Sequence, residues 1–240
     1  MPVVEFRDVS FEIAGRRILS AINLCVEAGE SLVLLGRSGS GKTTALKLTN
    51  GMLFPTSGQV LVEGRSTRDW DPIRLKRHIG YVIQETGLFP HFTVAQNVGL
   101  VPKLEGWEAD RIATRVEELL QNVGLPGAEF GSRYPRQLSG GQRQRVGVAR
   151  ALAAEPSVLL LDEPFGAVDP VTRFDLQEQF LQLRRTFEKT SIFVTHDVRE
   201  AMRLGTRIAL LAGGRVDFLA PPGEFQQATT KEARSFLACL

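Results

Sequence analysis

The chain has 240 residues, 43% hydrophobic and 23% charged, which is enough for one large core in a globular α/β domain with subdomains. A formal net charge of +2 and a pI near 8.7 concentrate no basic face and argue against a nucleic-acid partner. Cys25 and Cys239 lack metal-type spacing and fit free thiols in a reducing compartment, and neither a leader pattern nor an uncharged run of about 18 apolar residues is present, so secretion by signal peptide and membrane spanning are not expected of this chain.

In chain order, Val3–Phe6, Phe11–Ile13 and Ile22–Val26 are short, β-prone and separated by polar turns, which predicts a small antiparallel N-terminal sheet that Gln59–Val62 extends. The mostly apolar run Ser31–Leu35 reads as a buried strand and Thr43–Leu53 as a helix. Between them lies Gly36-Arg37-Ser38-Gly39-Ser40-Gly41-Lys42-Thr43, the G-x-x-x-x-G-K-[ST] phosphate loop. Glycine lets the backbone turn tightly and approach phosphate oxygens, while the following helix start offers unpaired N–H groups and a positive dipole end. Lys42 supplies a point charge for the β and γ phosphates, and the Thr43 hydroxyl is an Mg²⁺ ligand.

Further strands are expected at Ile79–Ile83, Ser157–Leu161, Ser191–Thr195 and Ile208–Leu211, alternating with helices as a parallel sheet requires. Residues 87–135 form a polar, helical excursion between two of them, the core of an inserted helical subdomain over about 87–152. Ile112, Val116, Leu119, Leu120 and Val123 recur at helical spacing, as do Leu176, Phe180, Leu183 and Phe187, so each stripe buries one face. Leu138-Ser139-Gly140-Gly141-Gln142 opens a helix over Gln142–Ala154 and turns a hydroxyl and N–H groups toward an anion.

Three strands deliver polar residues at their carboxyl ends: Gln84, the pair Asp162-Glu163, and His196. In an open parallel sheet those ends share one crevice, so Lys42, Gln84, Asp162, Glu163 and His196 are expected around one phosphate. Asp162 holds Mg²⁺ directly or through water, Glu163 polarises the attacking water, His196 donates to a γ-phosphate oxygen, and Gln84 serves metal or water.

With these motifs in this order, the chain resembles the ATPase subunit of an ATP-binding-cassette transporter over nearly all 240 residues. The resemblance implies a P-loop nucleotide hydrolase of α/β class, one ATPase domain over residues 1–240, with a mostly parallel sheet, an antiparallel β subdomain and an inserted helical subdomain. It makes Gly36–Thr43 with Thr44 the Walker A motif, Gln84 the Q-loop, Ser139, Gly140, Gly141 and Gln142 the signature, Asp162-Glu163 Walker B, Asp169 the D-loop and His196 the switch histidine. Phe11 resembles the adenine-stacking aromatic, a core phenylalanine being the alternative. Val168 departs from the leucine usual before the D-loop aspartate.

ATP and Mg²⁺ are the implied cofactors. The implied partners are a second copy placed head to tail, integral membrane permease subunits and a substrate-binding protein, with the chain peripheral on the cytoplasmic side of the inner membrane. Residues 81–94, 133–138 and 163–173 resemble the subgroup that imports glycine betaine, choline and related osmoprotectants. Amino-acid, phosphonate or nitrate-type importers remain open, and paired regulatory modules after the catalytic domain are not expected. A soluble relative acting on DNA ends or ribosomes is expected to carry a coiled-coil insertion, tandem cassettes or a basic extension, none of which is seen. A non-hydrolysing adaptor is expected to lack Glu163 or His196.

Overall fold

In the computed structural model, residues 2–84, 87–166 and 168–240 are described. Glu85, Thr86 and Ala167, which belong to the segments resembling osmoprotectant importers, lie outside them. The elements run β1 (Val4–Ile13), β2 (Arg16–Val26), β3 (Ser31–Leu35), α1 (Lys42–Thr49), β4 (Ser57–Val62), β5 (Arg65–Ser66), α2 (Pro72–His78), β6 (Ile79–Val82), α3 (Val94–Leu104), α4 (Ala109–Asn122) and α5 (Gly127–Phe130). They continue through α6 (Gly140–Leu152), β7 (Val158–Asp162), α7 (Pro170–Phe187), β8 (Thr190–Thr195), α8 (Val198–Leu204), β9 (Arg207–Ala212), β10 (Arg215–Ala220), α9 (Pro222–Phe225) and α10 (Lys231–Leu237). Two compact units result, one from residues 1–76 with 189–240 and the other from residues 77–188.

The first unit holds the predicted antiparallel sheet, in the order β2-β1-β4-β5. The two short strands expected at Val3–Phe6 and Phe11–Ile13 are one strand. Its buried residues Val4, Phe6, Val9 and Phe11 change phase once, where Asp8 takes φ +48° and the register with β2 shifts. Such a bulge keeps the apolar residues on one face although the sequence period breaks. The same unit carries β10-β9-β3-β8, with β3 parallel to both β8 and β9, and β10 antiparallel on β9. Every residue of β3 is buried, Ser31 included, as its mostly apolar sequence requires of a strand covered on both faces.

In the second unit β6 and β7 pair in parallel, and α3 and α4 pack with α6. The two predicted stripes are interior except at one end of each: Val116, Leu119, Leu120 and Val123 are buried, as are Leu176, Phe180 and Leu183, while Ile112 and Phe187 are half-buried. Among the described residues no helix is long and apolar enough to cross a membrane, and no group of three His, Cys, Asp or Glu side chains is arranged to hold a metal ion.

Candidate functional site

Residue 36 follows β3 directly, and two of its loop's glycines are dictated by space. A Cβ on Gly36 would stand 2.5 Å from the Leu211 carbonyl oxygen and 2.6 Å from Ser40 Oγ. Gly41 caps α1 at φ +102°, a conformation L residues avoid, and its Cβ would meet Leu19 Cδ2 at 2.4 Å. The loop folds round its own lysine. Lys42 is only 5% exposed, and its Nζ donates to Gly36 O at 2.7 Å and to Arg37 O at 2.9 Å. Ser40 Oγ is buried with no hydrogen-bond partner among the described residues. Arg37, Ser38 and Gly39 face solvent, while Thr43 and Thr44 are half-buried in the first turn of α1. No side chain caps that turn, and a helix start of this kind is suited to an anion.

Leu35 and Thr195 are register partners in the parallel β3–β8 pair, so the phosphate loop and His196 leave the sheet at the same edge. His196 is exposed, on a turn bracketed from both sides. The buried Thr195 hydroxyl donates to Glu200 Oε2 at 2.6 Å and accepts from Asp197 N at 3.0 Å, while Asp197 Oδ1 caps α8 through Arg199 N at 2.8 Å.

The second unit repeats this arrangement. Val82 and Leu161 are partners, so Gln84 and Asp162-Glu163 emerge together. Asp162 ends β7 at 7% exposure, with Tyr81 donating to its Oδ2 at 3.5 Å. Burial first, then the negative charge and hydrogen bond of Asp162, push the Tyr81 phenol well up, which keeps it a donor. Glu163 takes φ +44°, unusual for a residue with a side chain, on a turn closed by Gly166 N donating to Glu163 O at 3.1 Å. Strain of this kind persists where surroundings over-determine the backbone and concentrates at functional positions.

Ser139 is the N-cap of α6 in a reciprocal box: its hydroxyl accepts from Gln142 N at 3.2 Å, and Gln142 Oε1 accepts from Ser139 N at 2.9 Å. Ser139 and Gly140 are exposed, Gly141 is buried and Gln142 is half-buried. Asp169 is the exposed N-cap of α7, and its hydrogen bonding to Thr172, side chain first and backbone N–H next, holds its carboxyl below the ordinary value.

Phe11 is 8% exposed and opposite Leu19, the residue packed on Gly41, so its ring lies within the sheet's core. Ile13, past the register shift that follows Phe11, is 58% exposed, which the sequence reading did not single out. Also missed was Asn97, fully buried, whose Oδ1 accepts from Phe89 N at 2.8 Å and whose Nδ2 donates to the carbonyls of Phe89, Phe92 and Thr93 at 3.1, 3.1 and 3.0 Å. It stitches the segment after Gln84 to α3. Beside it, Phe92, Gly99, Leu100, Trp107, Ile112 and Val116 line much of a largely apolar groove of about 690 Å³.

A family model described as ABC transporter matches residues 19–166, the stretch that carries the phosphate loop, Gln84, Ser139 and Asp162-Glu163. The chain belongs to the ABC transporter family. Its similar curated relatives include the osmoprotectant import ATP-binding protein OsmV of Salmonella typhimurium, 51% identical over 203 residues that cover 85% of this chain and 53% of that protein. The glycine betaine/carnitine/choline transport ATP-binding protein OpuCA of Bacillus subtilis is 47% identical, covering 91% of this chain and 57% of the relative. The chain thus spans about half the length of these two relatives. Among solved structures, the dimeric post-hydrolysis state of the ATP-binding cassette MJ0796 bound to ADP and Pi matches with a TM-score of 0.81 at 33% identity, covering 91% of this chain and 98% of that one. Cassette cbiO1 from Clostridium perfringens matches at 0.85 and 28% identity, covering 93% and 90%. The fold is therefore that of an ABC ATPase cassette, a P-loop nucleotide hydrolase, as its sequence motifs implied.

Proposed function

We propose that this ABC transporter family member binds ATP on the Gly36–Thr43 loop and hydrolyses it to drive import of a glycine betaine- or choline-type osmoprotectant. The observation that carries the reading is the cradle: Lys42 held on its own loop's carbonyls, a buried unpartnered Ser40 hydroxyl and an uncapped helix start. These groups fit a polyphosphate, and the oxygen donors of Thr43, Gln84 and Asp162 suit Mg²⁺. When bound, Mg²⁺ neutralises charge on the β and γ phosphates. Lys42 binds the same phosphates, Glu163 accepts a proton from the attacking water, and His196 donates to a γ-phosphate oxygen.

Ser139, Gly140, Gly141, Gln142 and Asp169 serve the site of a second copy, the two chains closing head to tail over ATP. The dimeric MJ0796 cassette supports that assembly, and the names of the curated relatives support the cargo. Membrane permease subunits and a substrate-binding protein complete the transporter. A permease segment docks in the groove between α3 and α4, which makes the chain peripheral on the cytoplasmic side of the membrane.

A fluorescent ATP analogue is expected to saturate the chain, with Lys42→Ala weakening binding at least tenfold. Equal affinity for both would remove the loop from this role. Uptake of labelled betaine, choline and amino acids by vesicles holding the co-purified permease then reads the cargo.

A further inference from the structure

The C-terminal helix α10 is fastened at three points within the first unit, and two of them are on the segments that face the nucleotide. At its start, Thr230 caps α10 by accepting from Ala233 N at 3.2 Å, and the same hydroxyl donates to Asp217 Oδ2 on β10 at 2.5 Å. This anchor presents Glu232, in the first helical turn, to the phosphate loop. Glu232 Oε1 accepts from Arg37 Nε at 2.5 Å. Beyond the helix, the Leu240 main-chain oxygen accepts from Arg199 Nη2 at 2.8 Å, and Arg199 lies on α8, which starts just after His196.

The Arg37 contact reaches the cradle through the main chain. The Arg37 carbonyl is one of the oxygens that hold Lys42 Nζ, and it also accepts from Ser40 N at 3.2 Å. A carboxylate that fixes the Arg37 side chain therefore fixes the residue whose backbone sets Lys42 and Ser40. The pair is half in solvent, Arg37 at 67% and Glu232 at 26% side-chain exposure, so its effect is modest and falls with salt. Hydrogen bonding to Glu232 holds the guanidinium firmly protonated, although arginine needs little help to stay charged.

We infer that Glu232 is a positioning residue for nucleotide binding, acting through Arg37, and that α10 is thereby coupled to occupancy of the phosphate loop. Binding at the loop and order in α10 then support each other, and whatever displaces α10 weakens the grip on nucleotide. The inference rests on the nucleotide-binding reading above.

The test uses the full chain, a fluorescent ATP analogue and four proteins: wild type, Glu232→Ala, Glu232→Gln and Arg37→Ala, with the Arg37→Ala/Glu232→Ala double variant closing a cycle. Glu232→Ala is expected to weaken binding about two- to fivefold at low salt, the range of an exposed ion pair. Glu232→Gln, which keeps an acceptor for Arg37 Nε without the charge, recovers only part of the loss, and that part is insensitive to salt. The double variant is no weaker than Arg37→Ala alone, because the two residues act as one. Raising salt to about 0.5 M weakens binding by both proteins but narrows the gap between wild type and Glu232→Ala, and in turnover the change falls in KM rather than kcat. Nucleotide also slows amide exchange at residues 233–238 in wild type.

A general loss of stability produces neither the salt convergence nor the cycle. Binding by Glu232→Ala equal to wild type, additive losses in the double variant, or α10 exchange indifferent to nucleotide overturns the inference and leaves the function intact. Failure of wild type to bind any nucleotide instead overturns the function on which it stands.

Discussion

Replacing Asn97 with alanine tests whether the segment after Gln84 is held by one buried amide. The side chain is fully buried and makes four hydrogen bonds to main-chain groups of Phe89, Phe92 and Thr93. At about 1 kcal/mol net for each bond, removing all four would cost about 4 kcal/mol. Three of the acceptors share the two N–H bonds of one amide, and Phe89 is 43% exposed, so water replaces part of the loss. The expected cost is therefore about 2–3 kcal/mol, or roughly 5–10 °C in melting temperature for a chain of this size. Chemical denaturation reads the energy, and amide exchange at Phe89 shows whether the loosening is local. Asn97→Asp is expected to do at least as much harm, since it keeps the acceptor for Phe89 N but turns oxygen lone pairs toward three carbonyls. A loss below about 0.5 kcal/mol with Phe89 still protected, or an aspartate milder than alanine, would refute the reasoning.

Glu163→Gln is expected to keep ATP binding, lower turnover about 100-fold or more and accumulate a dimer in light scattering; undiminished hydrolysis removes Glu163 from the water-activating role. Phe11→Ala is expected to cost about 3–5 kcal/mol in denaturant because the ring is core, whereas Ile13→Ala, at an exposed position, leaves stability within about 0.5 kcal/mol. A stable Phe11→Ala protein contradicts that division. Asp169 has its folded carboxyl lowered, so the N-cap strengthens α7 above the ordinary value of 3.8 and loses this effect as pH falls through the lower folded value. Exchange at the first α7 amides should rise over that acid window in wild type and not in Asp169→Asn.

The strands that carry the site were legible because a buried parallel strand needs little beyond a short apolar run. Ser31–Leu35 matches residue for residue, and β7 and β8 differ from expectation by single residues at their ends. Helix α1 stops at Thr49 rather than Leu53, since Asn50 and Gly51, the latter at φ +67°, end it before the apolar residues do. Strand β10 escaped notice because its residues alternate half-exposed on a sheet edge, with charges at Arg215 and Asp217. The phosphate loop, signature and carboxylates announce themselves because their chemistry depends on neighbours in sequence. Asn97, Tyr81, Glu200 and Glu232 carry no such mark. Tyr81 and Glu232 work on groups brought to them by the fold, as Glu232 meets Arg37 across 195 positions, while Asn97 and Glu200 bond near neighbours through turns that no motif marks.

Thr195, Asp197 and Glu200 make the turn that carries His196 part of the same hydrogen-bonded block as α8. A histidine so mounted has no private freedom of backbone: if its imidazole is to follow a departing phosphate, seven residues of helix must swivel with it. Arg199, on the same helix, extends this block to the Leu240 main-chain oxygen.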